Sequence, residues 1–450
     1  MAGTDSGETI YALSSAPGRA GVAVVRASGP AAGRALESVT GQPKPAPRRA
    51  ALVRLTDPAT GTAIDRGLVL WFPAPASFTG EDAVEFHVHG GQAVVTALFR
   101  ALGALGLRMA EPGEFARRAF DAGKLDLTAV EGLADLIAAD TESQRRQALR
   151  QMEGALGKIY DGWRDAVIRA MALKEADIDF SDQDLPTALS GAARKNIESL
   201  LADVRRHLGD AHRGERVRAG IHVAIIGPPN VGKSTLLNAL ARREAAIVSE
   251  IPGTTRDVIE VALDVAGYPV MLADTAGLRS TADSIEREGV RRALARGRDA
   301  DLTILVFDPA TVSIADKIEG NPLISQPIVI INKIDVFAKE NSPDFVGGIP
   351  VIKISAKTGQ GMGELLECLK SAIEIRFGGA DDLEPAITRS RHREHLESCA
   401  ENLERALNAK ADELVAEDLR LAARALGSIT GRVDVESILD VIFRDFCIGK

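Results

Sequence analysis

Aromatic residues are scarce in this chain, with 13 Phe, 3 Tyr and 2 Trp among 450 residues. That argues against a nucleic-acid binder built on stacked aromatic platforms. Cysteine is scarcer still. Cys368, Cys399 and Cys447 are three in number and form no C-x-x-C. Neither a disulfide framework nor a cysteine-rich zinc site is supported, and a reducing cytoplasm is the expected compartment. Long apolar runs are also missing. A stretch such as Leu302 to Phe307 falls far short of the ~18 residues of a membrane span. The first ten residues hold Asp5 and Glu8 but neither Lys nor Arg, so no secretory signal is expected. Positive charge is not in excess either: 54 Lys plus Arg face 63 Asp plus Glu, a formal net charge of −9. This excludes a wholly basic RNA-coating protein and leaves room only for a local basic surface.

What is present is an ordinary globular balance, 45% apolar and 26% charged. At roughly 150 residues each, the length suggests about three domains. Up to about residue 120 the chain reads as an α+β domain. Short strands at Val22 to Val25, Leu52 to Leu55, Leu68 to Phe72 and Val84 to His89 are followed by an apolar helix from Val94 to Leu105, with a loop at Pro43, Pro45 and Pro47. The period then becomes helical. Ile197, Leu200, Leu201, Val204 and Leu208 form one stripe, and Val130, Leu133 and Ile137 begin another. From His222 to Ile354 strand-like runs alternate with helical segments, which predicts a mostly parallel α/β sheet. These runs are His222 to Ile226, Val270 to Ala273, Leu302 to Phe307, Ile328 to Ile331 and Val351 to Ile354. After Gly378, Gly379 and Pro385 the helical period returns, with Leu396, Leu403, Leu407, Leu414 and Ala422 predicted on one face. So short a segment is marginal alone. The helices before and after the α/β unit are therefore expected to pack together, making that unit an insertion. The expected boundaries are 1–122 (α+β), 123–216 (helical, first part), 217–378 (α/β) and 379–450 (helical, second part).

The chemistry is most legible in Gly227-Pro228-Pro229-Asn230-Val231-Gly232-Lys233-Ser234, which follows a strand and opens a helix. Its backbone N–H groups can wrap a β-phosphate, Lys233 reaches the β and γ oxygens, and Ser234 is a Mg²⁺ ligand. Asp274-Thr275-Ala276-Gly277 ends a second strand, where the acid can hold the Mg²⁺ shell and Gly277 can offer its N–H to the γ-phosphate. Asn332-Lys333-Ile334-Asp335 ends a third. There Asp335 can accept both N–H groups of a guanine edge while the Lys333 stem covers the base, and a carboxylate deprived of such donors costs several kcal/mol. Ser355-Ala356-Lys357 can close the base pocket. Four motifs in this order, each at a strand end, specify GTP. Within Gly253-Thr254-Thr255-Arg256-Asp257, Thr255 is the expected switch threonine on Mg²⁺. Arg256 is either an arginine finger in cis or an ion-pair partner of Asp257. Where Ras-like GTPases place a water-orienting glutamine, this chain has Leu278. Glu286 and Glu288 are the nearest acidic replacements, with a solvated helix face as the alternative.

These residues, with Phe78-Thr79-Gly80-Glu81-Asp82, Pro112-Gly113-Glu114-Phe115, Lys124-Leu125-Asp126-Leu127 and Cys447-Ile448-Gly449-Lys450, closely resemble the MnmE (TrmE) family of tRNA-modification GTPases over essentially the whole chain. The resemblance implies an N-terminal α+β tetrahydrofolate-binding and dimerisation domain and a helical-bundle domain interrupted by a Ras-like P-loop GTPase. It also implies a cytoplasmic homodimer that joins a flavin-bearing MnmG-type partner in a heterotetramer. Together these would add a carboxymethylaminomethyl-type group at carbon 5 of the tRNA wobble uridine, with 5-formyltetrahydrofolate or a related folate as one-carbon donor. The implied nucleotide contacts include Asn230, Val231, Gly232, Lys233, Ser234 and Thr235. Asn230 with the loop Ser249 to Thr254, Ile251 included, would hold K⁺ against the phosphates. Glu286 is selected as the residue that orients water. Arg26, Glu85 and Lys124 would hold the folate, and Cys447 and Lys450 would lie close to it. Catalytic roles are thus expected at Glu286, Lys233 and Cys447.

Several features admit blander readings. Glu85, His87 and His89 share one strand face and could ligate a metal, or the two histidines could be merely structural. Cys447 superficially resembles a prenylation box, and is otherwise an inert thiol or a neighbour of the modification site. Two arginine clusters, Arg205, Arg206, Arg213, Arg216 and Arg218 and also Arg291, Arg292, Arg296 and Arg298, are candidate RNA contacts or solvated helix faces. No G-x-G-x-x-G follows a strand, so a redox cofactor must come from a partner. The rival functions are a GTP-switched RNA or ribosome-assembly factor and a folate-dependent one-carbon transferase gated by GTP.

The guanine reading has a direct test. Asp335→Asn should shift nucleotide preference from GTP toward xanthosine triphosphate, whose N2 position is an acceptor. Unchanged GTP affinity in a binding assay would refute the assignment of Asp335.

Overall fold

Alternate residues of the N-terminal strands are apolar, and in a pleated strand that places them on one face. The computed structural model describes residues 7–179, 188–210, 212–243, 246–247, 260–265, 267–274, 300–311, 327–336, 343–346, 348–378, 385–433, 439, 442–443 and 449. The chain divides into two compact units. One comprises Met1–Ala134, Gln151–Asp165 and Ala423–Lys450, the other Asp135–Arg150 and Ala166–Ala422.

In the first unit, β1 (Ile10–Leu13), β2 (Ala20–Ser28), β3 (Ala51–Thr56), β4 (Ala63–Phe72), β5 (Ala83–Gly90) and β6 (Arg108–Met109) form one sheet in the order β3-β4-β5-β2-β1-β6. All pairs are antiparallel except β1 with β6. Helices α1 (Ala32–Thr40) and α2 (Gln92–Ala104) join its apolar face, where Val25, Val53, Val69, Trp71, Phe86 and Val88 share a core with Leu36, Val39, Leu98 and Leu102. The four expected strands fall inside β2, β3, β4 and β5, and the expected helix matches α2 except for Leu105, which is its C-cap. The short strands β1 and β6 carried too little pattern to be foreseen.

The next helices are α3 (Glu114–Asp121) and α4 (Leu127–Ile137). Asp126 starts α4 by accepting the Ala129 N–H at 2.9 Å, an N-capping contact. Residues from the end of the chain return to this place, since Leu439 and Phe443 share a cluster with Ala116, Leu127 and Val130. Gly449 goes further. Its carbonyl accepts the Ser14 hydroxyl at 2.8 Å, and with φ at 103° any Cβ there would lie 2.1 Å from the Leu13 carbonyl oxygen. Only glycine allows so close an approach.

Arg118, 7% exposed, ties two of the sequence motifs together. It donates to Glu114 at 3.0 Å and to Glu81 at 3.0 Å, while Arg108 grips Glu114 from the other side at 2.6 Å. Burial alone would raise the Glu114 carboxyl, but the Arg108, Arg118 and Glu111 N–H donors hold it below its ordinary value.

The second unit opens with α5 (Glu142–Met152), which extends just beyond its first segment, the distal part of α6 (Ala155–Asp179), α7 (Ala188–Leu208) and α8 (Arg213–Ala219). An eight-stranded sheet follows. Its strands are β7 (Ile221–Ile226), β8 (Ala246–Ile247), β9 (Glu260–Val265), β10 (Tyr268–Asp274), β11 (Leu302–Phe307), β12 (Ile328–Ile331), β13 (Phe345–Val346) and β14 (Ile349–Lys353), in the order β13-β14-β12-β11-β7-β10-β9-β8. From β14 to β10 the pairing is parallel, and β8, β9 and β13 add antiparallel edges. Both faces are covered. Val223, Ile225, Leu272, Ile304 and Ile330 pack in one core with Leu236 and Leu240 of α9 (Lys233–Arg243) and Leu365 and Leu369 of α10 (Met362–Phe377), while Ala224, Ile226, Leu305, Phe307 and Val329 form the other. Two-sided burial is why these strands read as unbroken apolar runs.

The helices flanking this sheet do pack together. Arg194 of α7 donates to the Leu407 carbonyl of α11 (Ser390–Asn408), and Arg205 pairs with Glu404 at 2.8 Å. Where the chain enters and leaves the α/β unit, Arg393 donates to Asp210 at 2.7 Å, to Glu215 at 3.0 Å and to the Leu208 carbonyl at 2.9 Å. Two predicted positions fail. Ile137, the last residue of α4, is 42% exposed. Leu414 is 59% exposed, because the chain leaves helical geometry at Ala409 (φ −67°, ψ 142°) and α12 (Asp412–Thr430) starts a new phase.

Removing Arg118 would take a buried guanidinium from two carboxylates, leaving Glu114 to Arg108 and Glu81 to the Ser28 hydroxyl. Arg118→Met should destabilise the N-terminal unit by about 3 kcal/mol at neutral pH, as for a broken buried ion pair. Because the Glu114 carboxyl is held low in the folded state, the loss should shrink as pH falls through the carboxylate range. Urea unfolding at pH 7 and pH 4 checks both.

Candidate functional site

The parallel strands present their C-terminal ends on one edge of the sheet, and three of the four sequence motifs sit there in described form. Strand β7 ends at Ile226, the phosphate loop follows, and α9 starts at Lys233, so the loop N–H groups and a helix N-terminus converge where an anion is favoured. Lys233, 7% exposed, donates to the carbonyls of Gly227 at 2.9 Å and Pro228 at 2.8 Å, folding its ammonium back over the loop. Asn230 takes a left-handed φ of 64°. Ser234 occupies the first turn of α9, with Thr235 after it.

Asn332, 2% exposed, connects this loop to the base end of the site. Its amide N–H donates to the Val231 carbonyl at 2.9 Å, and its amide oxygen accepts the Ala356 N–H at 2.9 Å. Gly232 has φ of 96°, and a Cβ on it would lie 2.4 Å from the Asn332 amide nitrogen. The glycine of the phosphate motif is thus required by a neighbouring side chain.

Asp335 is exposed, and its Oδ1 accepts the Ser355 hydroxyl at 2.7 Å, a bond that lowers its pKa. The carboxylate is therefore ionised at neutral pH and aimed by a fully buried serine. Lys357 is exposed beside it. Lys333, at a left-handed φ of 66°, reaches Asp308 at the end of β11, 2.8 Å away. Sequence reasoning missed Asp308, since no motif marks a lone acid after a buried strand.

The backbone of Asp274 ends β10, next to β7 in the sheet. Thr275, Ala276, Gly277, Leu278, Ser249, Ile251, Thr254, Thr255, Arg256, Asp257, Glu286 and Glu288 lie outside the described residues, as do Cys447 and Lys450.

In the N-terminal unit, Arg26 and Glu85 are register partners on β2 and β5. Arg26 donates to Glu85 Oε1 at 2.9 Å, while His87 Nε2 lies 3.1 Å from Oε2. The Arg26 guanidinium also sits 5.6 Å from the Phe78 ring and 5.9 Å from Phe115, at cation–π range. Exposed Lys124 joins them through the Phe78–Asp82 loop, its stem 3.4 Å from where a Gly80 Cβ would stand. His89 turns elsewhere and pairs with Asp65 at 2.9 Å. The three-ligand metal reading of this strand is therefore corrected: among the described residues no group of three or more such side chains could hold a metal ion.

The first arginine cluster proves to be engaged. Arg205 pairs with Glu404, Arg206 with Asp203, Arg216 with Asp301 and Arg218 with Asp135, at 2.8 to 3.0 Å. Arg213 also has a polar or charged interaction. The second cluster, Arg291 to Arg298, lies outside the described residues. No helix among the described residues is long and apolar enough to cross a membrane.

Two family models match the chain: "GTP-binding protein TrmE N-terminus" over residues 9–124 and "MnmE helical domain" over residues 127–447. Among curated relatives, a "tRNA modification GTPase MnmE" of Parvibaculum lavamentivorans is 58% identical, covering 98% of this chain and 100% of that protein. One of the same name from Paramagnetospirillum magneticum is 54% identical over 98% and 100%. A "5-taurinomethyluridine-[tRNA] synthase subunit GTPB3, mitochondrial" of Danio rerio is 48% identical over 98% of this chain and 93% of its own length.

Because Asn332 bridges two buried backbone groups, Asn332→Ala should leave the Val231 carbonyl and the Ala356 N–H unsatisfied. The expected cost is about 3 kcal/mol in urea unfolding without nucleotide, and a loss below about 0.5 kcal/mol would show that the bridge is dispensable.

Proposed function

The chain belongs to the MnmE (TrmE) family of tRNA modification GTPases, and on that premise we propose that it hydrolyses GTP to drive modification at carbon 5 of the wobble uridine of certain tRNAs. The observation that carries the nucleotide half is the pairing of a phosphate loop with a guanine-reading loop through one buried amide, Asn332. Asp335, ionised and aimed by Ser355, is suited to accept the two N–H groups of guanine, which adenine cannot offer. Ser355, Ala356 and Lys357 close the base pocket.

The residues present fit the expected ions. Ser234 in the first turn of α9 would, with Thr255 and the acid Asp274, supply hard oxygen donors of the kind Mg²⁺ takes. Asn230, in its left-handed bend, with Ser249, Ile251 and Thr254 offers side-chain and carbonyl oxygens suited to K⁺. Such ions neutralise charge that develops on the transferred phosphoryl group. With leucine at position 278, Glu286 is assigned to orient the attacking water, while Asn230 to Thr235 and Thr275 to Gly277 would contact the phosphates.

The N-terminal unit fits a reduced folate. Arg26, Glu85 and half-exposed Phe78 present an ionic pair beside an aromatic face, and the Lys124 cation suits a glutamate tail. Gly449 is bonded to Ser14 beside β1 and β2, which supports placing Cys447 and Lys450 near that site. As the family resemblance implies, the chain would act as a homodimer with a flavin-bearing partner in a heterotetramer, that partner bringing the redox cofactor. The relative whose name describes a subunit of a 5-taurinomethyluridine synthase supports carbon-5 chemistry shared between proteins.

Nucleoside analysis of tRNA from a deletion strain tests the whole reading. The strain should lack the wobble-uridine modification and regain it with the intact chain, but not with Glu286→Ala or Cys447→Ser. In vitro, Cys447→Ser should hydrolyse GTP normally, Glu286→Ala should bind GTP without turnover, and KCl should support faster hydrolysis than NaCl. Unaltered tRNA in the deletion strain would overturn the function, and equal rates in the two salts would overturn the potassium assignment.

A further inference from the structure

Asp308 stands at the end of β11, one strand over from the guanine motif at the end of β12, with Phe307 and Ile331 in register. It is 6% exposed. Its two carboxylate oxygens are divided between two partners. Oδ1 accepts the Thr311 hydroxyl at 2.8 Å, and Oδ2 faces the Lys333 ammonium at 2.8 Å. The Asp308 N–H in turn donates to Thr311 Oγ1 at 3.0 Å, so this turn holds the carboxylate from both sides.

Burial would push the Asp308 carboxyl up, yet the donors from Lys333 and Thr311 prevail and hold it below its ordinary value. The acid is thus charged at neutral pH. Lys333 meanwhile adopts a left-handed backbone, which a residue with a Cβ enters only against steric resistance. With its backbone fixed in the loop after β12 and its ammonium fixed at the end of β11, the methylene stem is stretched across two neighbouring strand ends. A long flexible side chain has become a rail.

We propose that Asp308 is a positioning residue for guanine-nucleotide recognition, acting through Lys333: by anchoring the ammonium it preorganises the lysine stem as the surface on which the base lies. An unanchored lysine would lose rotamer freedom on binding. Asp308 removes that loss in advance. The inference deepens the GTP-binding reading and rests on it.

A double-mutant cycle on the full-length chain separates positioning from simple structural support. Fluorescent GDP is titrated into wild type, Asp308→Asn, Lys333→Met and the double variant, with thermal unfolding of each nucleotide-free protein in parallel. Asp308→Asn keeps the shape and an acceptor for Thr311 but loses the charge. It should weaken GDP binding about ten-fold, within the coupling range of contacting residues, and leave kcat at saturating GTP near that of the wild type. In the Lys333→Met background the same change should have no further effect on affinity. Additive losses in the cycle, or an Asp308→Asn chain with unaltered affinity, would overturn the proposal. A wild-type chain that does not bind GDP would overturn the nucleotide reading itself. Should Asp308→Asn unfold, Thr311→Val, which frees only Oδ1, should give a smaller loss that also vanishes in the Lys333→Met background.

Discussion

A single buried carboxamide holds the nucleotide end of the molecule together. Asn332 donates to the phosphate loop and accepts from the loop after β14, so two segments more than a hundred residues apart in sequence become one surface. A carboxamide is suited to this because it carries a donor and an acceptor on one rigid plane. Aspartate would lack the donor, and an apolar residue would orphan both backbone groups in a dry place. Around that bridge the neighbouring contacts add direction. Ser355 aims Asp335, Asp308 anchors Lys333, and Lys233 lies over its own loop.

The insertion of the α/β unit into a helical scaffold is managed by charge at its base. Arg393 gathers Asp210, Glu215 and the Leu208 carbonyl where the chain passes in and out. Asp301 performs a similar service. It pairs with Arg216 of α8, accepts the His222 N–H of β7, and offers its carbonyl to Arg376 of α10. Asp210 and Asp301 are largely buried, and each is surrounded by several donors. The arginines near this junction are therefore joints of the fold.

The N-terminal unit separates two kinds of acidic motif residue. Glu81 and Glu114 are structural, locked to Arg118 and Arg108. Glu85 lies between Arg26 and His87, a partly exposed chain beside Phe78. The first pair stabilises the loop that the second needs, because Phe78 and Gly80 belong to the segment that Glu81 fastens.

Composition, periodicity and motif order determined much of this protein. The two-sided burial of the central strands is written as continuous apolar runs, the N-terminal strands as alternation, and the phosphate and guanine loops as short strings whose residue types are fixed by ligand chemistry. All of these are local, and local patterns survive in a linear reading. The tertiary structure alone decided matters that depend on partners distant in sequence. Asp308 acquires meaning only because β11 and β12 are neighbours. Arg205, Arg216 and Arg218 look like a basic surface until Glu404, Asp301 and Asp135 arrive beside them. Leu414 fits a helical period that the break at Ala409 resets. The edge strands β8 and β13, two residues each, exist because a neighbouring strand offers them hydrogen bonds. A residue type states which bonds a side chain can make, but only the folded chain supplies the partner.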